Sequence, residues 1–223
     1  MDIINKLQHP FDGLESKNIN SIQNKCTEIA KELFCYYGIK CGNKTFRFAE
    51  IEFYYYKKEE SSNNNWDSQW NKETYPRNKN AGDFFFHYSG VDICFQCNFI
   101  EKEKDDEFGE FGGILIRSLL DGEKVLAGPL FCANTMLNTC KEHMPRLVPA
   151  DSQECELEQT KRYGISSDEQ QEKGKDLFLC YYRKNLDWNH VSERIGWDKK
   201  KRKFKRITRN YNNDRFQKNN DGR

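Results

Sequence analysis

Phe46-Arg47-Phe48-Ala49-Glu50-Ile51-Glu52-Phe53-Tyr54-Tyr55-Tyr56 is the stretch from which the fold is read. Aromatic and β-branched side chains suit a pleated, half-buried surface, so the run predicts a strand. Simple alternation puts Phe46, Phe48, Glu50, Glu52 and Tyr54 in one parity set and Arg47, Ala49, Ile51, Phe53 and Tyr55 in the other. Two acids then share a face with aromatic neighbours. The solvent face of an edge strand accounts for that pattern as well as a carboxylate site does.

Upstream, Ile22, Cys26, Ile29, Ala30, Leu33 and Phe34 recur at helical spacing and predict a helix over Ile19–Tyr37, with Ser21 as a possible N-cap and Gly38 or Gly42 as its stop. Downstream, Lys57 to Asn80 reads as a polar loop holding Trp66, Trp70, Tyr75, Pro76 and Arg77, and loops beyond about 12–15 residues are often functional. Asp83–Tyr88 and Val91–Ile100 read as a hairpin turning at Ser89-Gly90. An acidic loop, Glu101–Glu107, precedes a short buried strand, Gly113–Leu120, which carries Arg117 out of its apolar run. Gly128-Pro129 opens a helix within Leu126–Met144, Cys155–Gly174 reads as polar loop, and Asp176–Tyr182 as a last strand. The expectation is an α+β fold: one mixed domain over residues 1–196, with an antiparallel curved sheet and flanking helices, followed by a basic, flexible tail over 197–223.

Composition narrows the class. Only 36% of the 223 residues are hydrophobic, but 14% are aromatic, more than a chain with nothing to bury has use for. No run approaches the roughly 18 apolar residues of a membrane span, and Met1–Gly13 lacks the basic-then-apolar order of a signal peptide. A cytoplasmic monomer without membrane contact is expected. The nine cysteines, at 26, 35, 41, 94, 97, 132, 140, 155 and 180, lack the dense spacing of a disulfide framework and read as reduced thiols. Cys94-x-x-Cys97 on a strand would point its thiols to opposite faces, and no second pair has ligand spacing, so neither metal nor cofactor is expected.

Charge is unevenly spread beneath a net +1. Trp197–Arg223 carries eleven Lys or Arg against three Asp, a net +8, leaving residues 1–196 at −7. Such a block, densest at Lys199, Lys200, Lys201 and Arg202, is either a polyanion contact or a solvated tail.

The order of these pieces resembles the alkyladenine (3-methyladenine) DNA glycosylases. The match runs through Ala49-Glu50-Ile51-Glu52-Phe53-Tyr54, Tyr75-Pro76-Arg77-Asn78, Gly82, Ser89-Gly90, Ile114-Leu115-Ile116-Arg117-Ser118, Gly128-Pro129 and Lys161-Arg162-Tyr163-Gly164-Ile165, roughly residues 26–182. The resemblance implies a metal-free hydrolase of base excision repair that binds DNA and flips a damaged purine out of the helix. It implies that Glu52 deprotonates the attacking water and stabilises an oxocarbenium-like state, and that Tyr54 stacks on the extruded base. Arg117 falls on an arginine near the catalytic water and the target phosphate; an ion pair with Glu50 or Glu52 is its structural alternative. Arg77 falls on a shared loop arginine, a nucleic-acid contact by that resemblance; pinning its own loop is the alternative. His87 lies on or beside a family tyrosine that stacks on the base, and Tyr88 is the candidate wedge. Gln96 or Cys97 stands where the family has asparagine. The chain departs from the family after Tyr54, where Lys57-Lys58-Glu59-Glu60 replaces a segment with a pocket histidine, and Trp66 or Trp70 could supply that wall. A non-catalytic nucleic-acid or nucleoside binding module on the same fold is the alternative function. Separately, His87 and Asp92 flank the predicted turn closely enough to hydrogen-bond across it; otherwise Asp92 caps its own turn.

Overall fold

The computed structural model describes residues 2–11, 19–58, 79–98, 109–141, 143–162, 179–186, 194–198 and 203–207. Helix α1 (Ile3–Gln8), N-capped by Asp2, leads to α2 (Ile19–Tyr36), which passes without a break into strand β1 (Tyr37–Cys41). The predicted glycine stop is therefore displaced: Gly38 lies inside β1, and Gly42, at φ 54°, turns the chain into β2 (Lys44–Lys58). The hairpin follows as β3 (Phe84–His87) and β4 (Gly90–Cys94), with His87 paired to Gly90 and Tyr88-Ser89 as its two-residue loop. The arginine-bearing strand extends to β5 (Gly109–Asp121), which turns at Gly122 into β6 (Lys124–Ala127). Helix α3 (Pro129–Cys140) starts at Gly128-Pro129, as the sequence predicts.

Strands β7 (Arg146–Pro149), β8 (Leu157–Thr160) and β9 (Cys180–Arg183) complete a nine-stranded sheet. Every pair in it is antiparallel, and it curls into a half-barrel. The long strands β2 and β5 lie side by side at its centre: β1 and β9 share the free edge of β2, and β4 and β6 share that of β5. Two expectations change here. Leu157–Thr160 is an edge strand within the expected polar loop, and β9 is not last, because β10 (Arg194–Asp198) and β11 (Lys203–Ile207) pair as a separate hairpin across the expected 196/197 boundary.

The parity of β2 is also corrected. The β2–β5 register shifts twice between Phe48 and Ile51, once for an extra residue on β2, Ala49, and once for an extra residue on β5, Arg117, so the alternation reverses in both strands while the overall register is kept. Phe46 and Phe48 therefore join Ile51, Phe53 and Tyr55 in the main core, while Glu50, Glu52 and Tyr54 turn to the opposite face. A bulge takes backbone groups out of the ladder. The Phe48 carbonyl accepts instead from Arg183 Nε at 2.8 Å.

The core lies between the sheet and helices α1, α2 and α3, the last contributing Cys132, Ala133, Met136 and Cys140. Ile22, Cys26, Ile29, Leu33 and Phe34 of α2, all nearly inaccessible, pack with the apolar face of β2, β4 and β5, each large side chain contributing about 1.5–3 kcal/mol by burial. Tyr181 is buried among them, and its hydroxyl pairs with Thr27 Oγ1 at 3.0 Å.

Candidate functional site

The register builds one row across six strands: Phe85, Asp92, Leu115, Glu52, Cys180 and Thr160 are successive partners on β3, β4, β5, β2, β9 and β8. Cross-strand partners put their side chains on the same face, so these six share the face away from the main core. One pleat along, His87, Arg117 and Glu50 belong to that face, and Tyr54 does so one pleat the other way. At Gly112 the chains approach so closely that a Cβ would collide with the Tyr54 carbonyl oxygen, so only glycine keeps β5 tight against β2 there.

At the centre, Arg117 faces two carboxylates. Its Nη1 lies 3.1 Å from Glu52 Oε1 and its Nε 3.3 Å from Glu50 Oε1. The other oxygens are held too: Tyr54 donates to Glu52 Oε2 at 2.8 Å and Ser118 to Glu50 Oε2 at 3.0 Å, and Cys180 Sγ lies 3.5 Å from Glu50 Oε1. Glu52 is 0% exposed and Glu50 1%, so the solvent-face reading of these acids is set aside. Burial above all, and then the adjacent Glu52 carboxylate, hold the Tyr54 phenol well above its ordinary range, which keeps it a proton donor. The Arg162 guanidinium lies 5.4 Å from the Tyr54 ring centroid and donates to the Phe53 carbonyl at 3.2 Å. Backbone contacts fix Arg117 in turn, because its carbonyl accepts from the Gly128 N–H that opens α3, at 2.8 Å.

A second cluster lies on the same face. His87 Nε2 is 3.3 Å from Oδ1 of the buried Asp92, and His87 Nδ1 is 2.9 Å from Ser89 Oγ. The contact is diagonal across the hairpin, since Asp92 pairs directly with Phe85. The two side chains approach across the hairpin at ion-pair distance, without the hydrogen bond that the sequence reading allowed.

Glu52, Tyr54, Arg117 and His87 are thus brought to one sheet face. Tyr88 is not; it stands 83% exposed at the hairpin tip. Gln96 lies past the end of β4, where Oε1 accepts from the Ala81 N–H at 3.3 Å and its own N–H donates to the Leu7 carbonyl. Arg77, Lys199, Lys200, Lys201 and Arg202 lie outside the described residues, as do Trp66 and Trp70. Among the described residues, no three Cys, His, Asp or Glu gather as a metal site, and no helix is long and apolar enough to cross a membrane.

Ser118, Leu115 and Cys180 carried no role in the sequence reading because each reaches the face through register. Arg162 stood within a quoted motif without a role; an arginine beside a tyrosine of the acidic strand cannot be foreseen from spacing. Against known proteins, the chain matches no family model, no curated sequence and no solved structure.

Proposed function

We propose that this face is the active site of a DNA glycosylase-like hydrolase, in which Glu52 activates water against the glycosidic carbon of a flipped damaged purine. One observation carries the reading: two buried carboxylates face the Arg117 guanidinium at 3.1 and 3.3 Å, with Asp92 in the same row as Glu52. Carboxylates fixed in a buried site favour positive charge developing nearby, as glycosidic cleavage requires. Glu52 is the member suited to take a proton, and Arg117 and Tyr54 position it. Motif order supplies the substrate class, and the exposed Tyr88 suits a wedge that fills the gap left by a flipped nucleotide.

The second reading, a binding module without chemistry, is favoured by a specific contact set: both Glu52 oxygens are already engaged, by Arg117 and by Tyr54. Single-turnover release of hypoxanthine or 3-methyladenine from duplex DNA separates the two. Glu52→Gln is expected to slow release by about 10²–10⁴ while DNA binding, followed separately, is retained; Glu50→Gln is expected to cost less. Equal rates for wild type and Glu52→Gln remove Glu52 from the chemistry. Binding without release of either base gives the second reading the lead.

A further inference from the structure

Cys35, in the last turn of α2, and Cys155, just before β8, are 120 residues apart in sequence, yet their Sγ atoms lie 3.5 Å apart. The backbone on both sides is tied together independently of the thiols. Ala150 and Gln153 donate to the Tyr36 and Cys35 carbonyls at 2.8 and 3.0 Å, and Arg47 bridges the Cys35 and Asp151 carbonyls at 2.9 and 3.0 Å. A disulfide would close the sulfur gap by about 1.5 Å, within reach of side-chain torsion.

The pair also borders a surface cavity of about 670 Å³, whose other lining groups include Lys6, Lys31, Glu28, Glu32 and Tyr36. That volume falls in the range of small-molecule sites, roughly 300–1,000 Å³, and the mixture of ammonium and carboxylate groups suits a zwitterion. Both cysteines are half-buried, whereas Cys26, Cys94, Cys132 and Cys180 are sealed in the interior. Cys41 and Cys140 also interact, at the far end of the β1–β7 ladder, but both are buried.

We propose that Cys35 and Cys155 are a redox-active dithiol that exchanges with a zwitterionic peptide disulfide of the glutathione class seated in this cavity. One cysteine, as thiolate, attacks a sulfur of the peptide disulfide, forming a mixed disulfide and expelling one peptide thiolate. The second cysteine, as thiolate, attacks the protein sulfur of that mixed disulfide, forming the Cys35–Cys155 bond and expelling the other peptide thiolate. Two protein thiols are oxidised, one peptide disulfide is reduced to two thiols, and the two protons lost by the cysteines end on the peptides. Burial foremost, and then the neighbouring Cys35, push the Cys155 thiol up to about 11 against the pull of Arg183 and Arg47, so exchange is slow near neutrality.

The test incubates the full chain with oxidised glutathione at pH 8.5, blocks residual thiols by alkylation and maps the digest by mass spectrometry. A Cys35–Cys155 cross-linked peptide is expected to form before any cross-link at Cys41–Cys140, and Cys35→Ser or Cys155→Ser to leave a glutathione adduct on the remaining partner. Lys31→Glu is expected to slow exchange with oxidised glutathione at least threefold more than it slows exchange with uncharged hydroxyethyl disulfide. Absence of the cross-link, or its appearance no sooner than adducts on the half-buried Cys97, overturns the dithiol. A cross-link forming at the same rate in Lys31→Glu, or slowed equally with both disulfides, overturns the cavity as the docking site.

Discussion

The two faces of β2 hold the protein together by opposite means. Ile51 and Phe53 are buried against other apolar groups, and every side-chain atom removed from water there contributes in the same direction. Glu50 and Glu52, one residue away, are equally buried, but each has lost its hydration and depends on Arg117, Ser118 and Tyr54 to replace it. The apolar face stabilises through quantity and tolerates approximate packing; the charged face holds only while every partner is present. Such an arrangement makes poor sense as a source of stability and good sense as a site.

That contrast is broken most directly at the bulge. Deleting Ala49 restores simple alternation in β2 while β5 keeps its extra residue at Arg117, which drives either the phenylalanines or the acids to the wrong face and throws the two strands out of register, so the deletion chain is expected to show no cooperative unfolding transition in urea. A cooperative transition near that of wild type would mean that the bulge does not set the faces. Next in size is Arg117→Met, which removes the guanidinium between two buried carboxylates and is expected to cost about 3–5 kcal/mol. Phe53→Ala on the other face should cost a similar amount, about 3–5 kcal/mol. The difference between them is reversibility: adding Glu50→Gln and Glu52→Gln should recover most of the Arg117→Met loss, whereas no second truncation rescues Phe53→Ala. Denaturant midpoints for the series decide it, and an unrescued triple variant would mean that charge is not what Arg117 contributes.

The smallest effect concerns charges left near water. Lys6 lies 2.7 Å from Glu28 and 2.6 Å from Glu32. Lys6, and after it Lys25, holds the Glu28 carboxyl below its ordinary range, so this stabilisation is complete above about pH 4.3 and fades as pH falls through the lower folded value. The Lys6 ammonium is raised by Glu28 and then Glu32, so its share is complete below about pH 10.4 and fades as pH climbs past that. With Glu28 half exposed, a double-mutant cycle between Lys6→Met and Glu28→Gln should give only about 0.2–1 kcal/mol at neutral pH. A larger coupling would place this surface trio in the same class as the buried one.

What was legible in the sequence follows from the same physics. Apolar periodicity located α2, the glycine-proline pair located α3, and the Phe84–Cys94 hairpin came from its aromatic run and turn. These signals are local. Strand β1 was hidden because it continues straight from a helix, and β8 because Leu157-Glu158-Gln159-Thr160 is a mostly polar edge. Glu50, Glu52 and Arg117 could be singled out, but the parity that groups the acids with Phe46 and Phe48 was wrong, since a bulge leaves no mark on alternation. The contact of His87 with Asp92 was one of two open readings, and Arg162 over Tyr54 depends on distant strands meeting.

The β2–β5 ladder also fixes the order in which the chain can fold. Its partners range from Lys58 and Gly109, 51 positions apart, to Arg47 and Leu120, 73 apart, so each rung closes a long loop before any contact repays the lost chain entropy. Helix α2 and the β3–β4 and β5–β6 hairpins close far shorter loops. We expect these local pieces to be in place at the folding transition state and the face bearing Glu52 to assemble after it. Truncations in the Phe84–Ile93 hairpin should then slow refolding, while Ile51→Val, at about 0.5–1.5 kcal/mol, should act mainly by speeding unfolding. The charged residues of the candidate site would be the last to find one another and the first to part.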